Sequence, residues 1–371
     1  MAITRIGNPA IADVRGVNFR NIIINGDMSI AQRGTSATTL SLSSGGFRYN
    51  DVDRIAVNAG NISSGEVSTQ QIDSGLNGFP KAKRITVTTA EASPAANGYL
   101  SIIQNVEAQN LQYLKYGTSD ALALTLSFYV RSSVTGNYTG NIIQIDNSAR
   151  VFVFNFTINS ANTWEKKTIS ILADSSGVIN NDNGIGFEVN FAYLYLGSYY
   201  NNGTLNQWNT NSGADEYANS ATRVNLLATN GATFDITGVQ LEVGTASDFE
   251  FLPVDVNYNR CKRYYQQVGD TPDGRDESKQ GITGQMWTNA QLLPTYALSP
   301  SMRTAPSLST STSALGTVYT NGVGLTINSV AANSSSRTHL QPALSTASAA
   351  TKGFAGHVDA TGGYLLISAE F

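Results

Sequence analysis

Charge is what this sequence has least of. Asp, Glu, Lys and Arg make up 13% of its 371 residues, about half the share of an ordinary globular chain. Helices keep their wet faces soluble with those residues, so a mainly helical fold is not expected. The balance is 23 Lys plus Arg against 27 Asp plus Glu, a net −4. No basic excess exists to neutralise phosphates, which argues against a nucleic-acid partner, and no polybasic cluster serves anionic lipid. A single cysteine, Cys261, excludes an intrachain disulfide and a cysteine-based zinc cage. Arg260 and Lys262 flank it but no histidine is near to act as a base, so it reads as a small buried side chain. The two histidines, His339 and His357, stand in no metal-ligand pattern, and no G-x-S-x-G elbow occurs. No stretch approaches the ~18 apolar residues of a membrane span. Residues 1–20, with arginines at 5, 15 and 20, lack the apolar core of a signal peptide. Assembly in a cytoplasm is the expectation.

What is there is polar but uncharged: Ser, Thr, Asn and Gln, with 34 glycines, around a 41% hydrophobic share. The dominant period is two. Leu124, Leu126, Phe128 and Val130 alternate with polar neighbours, and Phe152, Phe154, Phe156 and Ile158 share one face. Ile185, Phe187, Val189, Phe191, Tyr193 and Tyr195 are expected to continue one face for a full strand. Gly45-Gly46, Asn77-Gly78, Asn97-Gly98, Asn202-Gly203 and Asn180 to Gly184 supply the turns. In 232–243 the phase breaks: Phe234 and Ile236 share one face, Val239, Leu241 and Val243 the other. A β-bulge is predicted at Thr237-Gly238.

These patterns predict a mainly β protein, an antiparallel jelly-roll sandwich followed by a smaller C-terminal β-sandwich module. The expected divisions are an arm at 1–20, the sandwich at 21–253, a connector at 254–281, and the module at 282–371. Asn105 to Tyr116 reads as a turn or short helix, and 254–267 as a short helix or the start of a strand. With few large apolar residues the last module has a thin core, which oligomerisation would supplement.

Several segments resemble the jelly-roll structural proteins of tailed bacteriophages, especially phages of marine bacteria. They are Arg20-Asn21-Ile22-Ile23-Ile24-Asn25-Gly26-Asp27-Met28-Ser29-Ile30-Ala31-Gln32-Arg33-Gly34; Asp53-Arg54-Ile55, where the family has an aromatic third; Leu124 to Arg131 with Trp164; Phe234 to Gly244; Arg260-Cys261-Lys262-Arg263-Tyr264-Tyr265; and Met302-Arg303-Thr304-Ala305-Pro306. The resemblance implies a non-enzymatic virion protein akin to carbohydrate-binding sandwiches. It would be a tail fibre or tail-tip component docked to other virion proteins by its N-terminal arm, exposing its C-terminal module to a host glycan. Trimers are usual for such fibres. A capsid decoration or head-fibre protein is the alternative, and a polysaccharide-degrading tailspike the second. No cofactor and no metal is expected.

Cleavage of a polysaccharide needs two facing acids. The available clusters, Asp215-Glu216, Asp248 with Glu250, and Asp273, Asp276 and Glu277, fall in turns and linkers, so no catalytic residue is assigned. Asn180 to Gly184 offers oxygen ligands for calcium, but reads first as a hairpin turn. Sugar binding needs exposed aromatic faces edged by amides. Tyr199, Tyr200, Trp208 and Asn206 are the candidate glycan contacts, amid Tyr193, Tyr195, Asn201, Asn202, Gln207 and Asn209. The competing reading places these tyrosines in the core or a subunit contact.

Overall fold

Side chains alternating along an extended backbone give a strand one apolar face, and two such sheets bury those faces against each other. The computed structural model describes residues 19–371 apart from 147–149, 211–212, 214, 270–281, 312–315, 347–349 and 360–363. The arm expected at 1–20 lies, through residue 18, outside the described residues, as does the acidic tract with Asp273, Asp276 and Glu277.

The first part of the chain runs through β1 (Thr38–Ser41), β2 (Gly46–Arg48), β3 (Ala56–Gly60), β4 (Glu66–Leu76), β5 (Phe79–Thr89) and β6 (Tyr99–Glu107). It continues with β7 (Leu124–Ser132), β8 (Gly136–Gln144), β9 (Arg150–Ile158), β10 (Glu165–Ile171), β11 (Ile185–Leu196), β12 (Trp208–Thr210) and β13 (Thr233–Val243). One sheet has the order β1-β4-β5-β13-β7-β10 and the other β12-β9-β8-β11-β6-β3-β2, all antiparallel. Their inner parts, β5-β13-β7-β10 and β6-β11-β8-β9, interlock as the two halves of a jelly roll. Between β6 and β7 the chain makes a 3-10 helix, Ala108–Leu114.

Phe128 of one sheet meets Phe156 of the other edge-on at 5.2 Å, and Tyr138 stacks on Phe156 at 5.7 Å and tilts against Phe234 at 5.4 Å. Each such fully buried ring contributes about 1.5–3 kcal/mol. Tyr138 donates its hydroxyl to the Val134 carbonyl at 2.8 Å, so the ring enters the core without stranding its polar end. The same interior holds a charged pair. Lys83, alternating on β5 with Ile85 and Val87, pairs with Asp51, both fully buried. Thr69 donates to the same carboxylate at 2.8 Å.

The predicted bulge is present. Pairing of β13 with β7 shifts register between Thr237 and Gln240, and Gly238 takes φ +61°. A Cβ there would stand 2.9 Å from the Phe79 ring and 3.0 Å from Tyr129. Up to Ile236 the strand pairs with β5; beyond the bulge, residues 21–26 take over. Ile22 donates to Leu241 O and Val239 donates to Gly26 O, both at 2.9 Å, while Asn21 bonds Val239 and Leu241. The expectation of one continuous face on β11 fails. Register shifts at Asn190/Ala192 and Tyr193/Tyr195 turn the strand, so Ala192 and Leu194 enter the core. Tyr193 instead lies with Leu196, Tyr200 and Ala218 in a separate cluster.

After the sandwich comes a helix, α1 (Val254–Lys262), and at once a strand, β14 (Tyr265–Gly269). There follow β15 (Ile282–Thr288), β16 (Gln291–Pro294), β17 (Tyr296–Ala297), β18 (Ser307–Thr310), β19 (Thr317–Thr320), β20 (Val323–Ser335), β21 (His339–Thr346), β22 (Ala355–Asp359) and β23 (Tyr364–Ser368). The small module takes the form of a ring, β16-β15-β22-β19-β20-β21, closed where Gln291 and Leu292 pair with Ser345 and Leu344. Met286, Leu292, Val318, Ile327, Leu340 and Leu344 fill it. Beside the ring lies a three-stranded sheet, β14-β23-β18.

Four of the six segments on which the family resemblance rests meet where this sheet joins the sandwich, those at 20–34, 53–55, 260–265 and 302–306. Gln32 donates its backbone N–H to Asp53 at 3.0 Å and its amide to Tyr265 O at 3.0 Å. The fully buried Arg54 lies 3.5 Å over the Tyr264 ring, donates to Asn105 O at 2.7 Å and pairs with Glu370. Arg33 stacks over Tyr265 at 3.5 Å. Arg263 grips Glu107 through two bonds of 2.6 and 2.7 Å, and Tyr264 donates to the same carboxylate at 2.6 Å. Burial pushes Glu107 up, but those donors outweigh it and hold the carboxyl below its ordinary range. Arg303 closes the joint by donating to the carbonyls of Ala369, Glu370 and Asn183 at 2.8 to 2.9 Å.

Candidate functional site

A polar loop of 197–225 leaves β11 and folds back toward the outer face of the second sheet. At its root is an open cleft of about 430 Å³. Its walls are the turn at Pro94–Ala96, the end of β11, Ser198 and Asn201 at either end of the 3-10 turn, and 220–225. Gly197 is required here, because a Cβ would stand 2.1 Å from Ala96 O. Tyr195 donates its hydroxyl toward Ala95 O at 3.0 Å, tying β11 to the facing turn.

Arg223 organises the floor. Its guanidinium donates to Asn219 O at 2.7 Å, to Leu196 O at 3.0 Å and to Asn201 Oδ1 at 2.7 Å, while Nε has no partner among the described residues. Burial pulls its proton affinity below that of an ordinary guanidinium, with Tyr195 opposing. Asn225 donates to Ala92 O at 3.1 Å, and its Oδ1 has no donor among the described residues. No carboxylate lines the cleft among the described residues. The arrangement presents a ring, amides and a guanidinium, suited to hold a neutral polyhydroxyl ligand and lacking an acid–base pair.

The sequence candidates lie around this loop in two groups. Tyr199 is 49% exposed beside the cleft, its backbone N–H on Ala96 O and its hydroxyl on Gly213 O, each at 3.0 Å. Tyr200 is buried, stacked on Tyr217 at 5.5 Å and donating to Asn97 O at 2.9 Å. Trp208 turns the other way, onto Tyr116, Phe152 and Phe187, with Nε1 on Leu172 O at 2.7 Å. Asn206 is exposed in the left-handed region, its N–H on Val153 O at 2.8 Å. The loop therefore brings Tyr199 and Tyr200 together and carries Trp208 and Asn206 to the β9 edge. Arg223 and Asn225 were not singled out from sequence; only an arginine amid a polar loop marked them.

Other flagged groups serve the fold. In the Asn180–Gly184 tract, Gly184 donates to Asp182 at 2.8 Å and Asn183 to Arg303 O at 2.8 Å, a turn that also touches the second unit. Glu250 accepts the Asn21 N–H at 2.9 Å. His357 is exposed and stacks on Tyr319. Cys261 is buried, and burial pushes its thiol well up.

The outer face of the second sheet also carries a polar chain. Ser101 donates to Asn190 at 2.8 Å, Asn190 to Asn141 at 2.9 Å, and Asn141 to the Tyr193 oxygen at 3.1 Å. One register further, Glu188 stands between Asn105 and Ile143. Neither Glu188 nor the Asn105 amide has a hydrogen-bond partner among the described residues. Burial alone pushes the Glu188 carboxyl up to about 7.

No protein-family model and no curated protein matches the chain. Among solved structures it is similar to the enzymatically active domain of tailspike protein 4 of bacteriophage CBA120, at 11% identity and TM-score 0.30, over 61% of this chain and 22% of that one. A CBM4 structure matches at 10% identity and TM-score 0.28, over 59% of this chain and 98% of that one. A family 11 carbohydrate-binding module from Clostridium thermocellum, in complex with a beta-1,3-1,4-mixed-linked tetrasaccharide, matches at 12% and 0.28, over 58% and 99%. The sandwich rests on this chain's own strand order. The chain is a mainly β, antiparallel protein whose structural neighbours include a phage tailspike domain and carbohydrate-binding modules.

Proposed function

We propose that this chain is a non-catalytic virion protein of a tailed bacteriophage, a tail-fibre or tail-tip component that holds a neutral host-surface glycan. The sequence resemblance over 20–306 supports the virion setting, with the arm at 1–20 docking the chain to other virion proteins and copies assembling as a trimer. The observation that carries the binding reading is the cleft at 94–96, 195–201 and 220–225. It offers Tyr195 as a ring surface, Asn201 and Asn225 as amide edges, and Arg223 as a fixed donor, with the exposed Tyr199 ring beside it. Saccharide hydroxyls are recognised by such mixed donors and acceptors around an aromatic wall. Tyr200 and Trp208, whose rings face protein, shape the loop in this reading.

The test is a glycan array probed with labelled protein, repeated with Arg223→Ala and Tyr199→Ala. Neutral glycans retained by the wild type and lost by about tenfold or more in both variants is the expected result. Release of reducing ends from a bound glycan would overturn the non-catalytic reading. Cryo-electron microscopy of a particle carrying the chain in its head shell would overturn the tail assignment.

A further inference from the structure

We propose a second binding site, for a carboxylate-bearing sugar, in the cleft where α1 and the C-terminal unit meet the opening segment of the sandwich. This cleft measures about 470 Å³ and shares no lining residue with the first. Its polar walls are Arg260, Arg263, Arg337, Gln109, Asn110 and Tyr113. Three guanidiniums come from three places: the last turn of α1, the residue after it, and the β20–β21 turn. No carboxylate lines the cleft among the described residues.

The three arginines are not equivalent. Arg263 is spent on Glu107. Arg260 has one bond, to Asn21 O at 3.3 Å, and no ion pair among the described residues. Glu250 is the carboxylate it feels, and that group is held by the Asn21 N–H at 2.9 Å. Burial pulls Arg260 below the ordinary guanidinium range. Arg337 donates through Nε to Met302 O at 2.9 Å and has no ion pair among the described residues either. Arg260 is thus a partly buried cation whose carboxylate neighbour is shared with Asn21, and Arg337 an exposed one beside it; a charge taken partly from water without a close partner, as at Arg260, is costly. An anion in the cleft supplies the missing partner, most strongly as a carboxylate meeting a guanidinium edge.

Phe19, Ile22 and Ile24 make an apolar wall, and the rest of the lining favours a sugar, with its apolar ring faces and hydroxyl edges, over a bare ion. Tyr113 is 46% exposed and offers a ring face. Asn110 is exposed and its amide makes no hydrogen bond among the described residues, leaving donors and an acceptor for hydroxyls. The volume falls in the range of small-ligand pockets, about 300–1,000 Å³. A confined cleft of that size suits one or two sugar rings better than an extended acidic protein segment.

Isothermal titration calorimetry of the full chain tests this, using hexagalacturonate, neutral maltohexaose and hexaglutamate at ~50 mM NaCl. Hexagalacturonate is expected to bind, to weaken at ~500 mM NaCl, and to lose about tenfold or more in affinity in Arg337→Ala and in Tyr113→Ala. Arg337→Lys is expected to recover part of the loss. Arg260→Gln should behave alike; if it fails to fold, the two surface variants carry the test. Binding of maltohexaose as tight as hexagalacturonate, indifference to all variants, or absence of saccharide heat at millimolar ligand would each overturn the proposal. Tighter binding of hexaglutamate would overturn it in favour of an acidic protein partner. Arg223→Ala leaves this binding unchanged, so failure here and failure of the first cleft are separately visible.

Discussion

Replacing Glu188 by Gln should stabilise the protein in mild alkali and do almost nothing in mild acid. The carboxyl's ordinary 4.5 stands against about 7 in the fold, where burial is the cause and no donor offsets it. At about 1.36 kcal/mol per tenfold change in proton affinity, ionising this group costs the folded state about 3 kcal/mol. The sign follows from proton counts. Between pH ~4.5 and ~7 the folded chain keeps a proton that the unfolded chain has released, so stability falls as pH rises through that window and levels off above about 8. Glutamine keeps the shape and does not ionise. Urea unfolding of wild type and Glu188→Gln, followed by tyrosine and tryptophan fluorescence, should give near-equal stability at pH 4.5. At pH 8 the variant should be ahead by about 3 kcal/mol. Comparing the two differences removes other titrating groups, such as Asp53, which burial raises to about 6. An equal difference at both pH values would refute the reasoning.

Further expectations concern the packing. Lys83→Met should cost about 3–5 kcal/mol by stranding Asp51, and adding Asp51→Leu should restore most of it; urea midpoints of the single and double variants decide. Gly238→Val should cost about 2–3 kcal/mol, because φ is +61° and the new Cβ meets Phe79 and Tyr129, measured by the same unfolding. Arg54→Met leaves Glu370 only its longer pair with Arg33, at 3.4 Å. Amide exchange over Leu365–Ser368 should then quicken by about a hundredfold, read by mass spectrometry.

Much of the sandwich was legible because its strands alternate cleanly. The bulge at Gly238 was readable for the same reason: Gln240 and Glu242 would otherwise have faced the core. The turns of β11 were not readable. In Phe191-Ala192-Tyr193-Leu194-Tyr195-Leu196 both phases are apolar, so alternation gave no sign of which residues the register shifts would expose. The site was half legible. Aromatics among amides marked Tyr199 and Tyr200, but Arg223 earns its place through the carbonyls of Leu196 and Asn219, which no side-chain pattern announces. Likewise Arg33, Arg54, Arg263 and Arg303 stood in recognisable segments, yet only folding shows that they share one joint.

That β14 and β23 are direct neighbours has a consequence for what the distal unit can tolerate. Entry to the distal ring and exit from it are paired side by side, ninety-odd positions apart in sequence, on the arginine-rich joint. Most of what lies between is a cassette on a fixed socket. Changes in its length, loops or outward chemistry need not disturb the pairing that seats it.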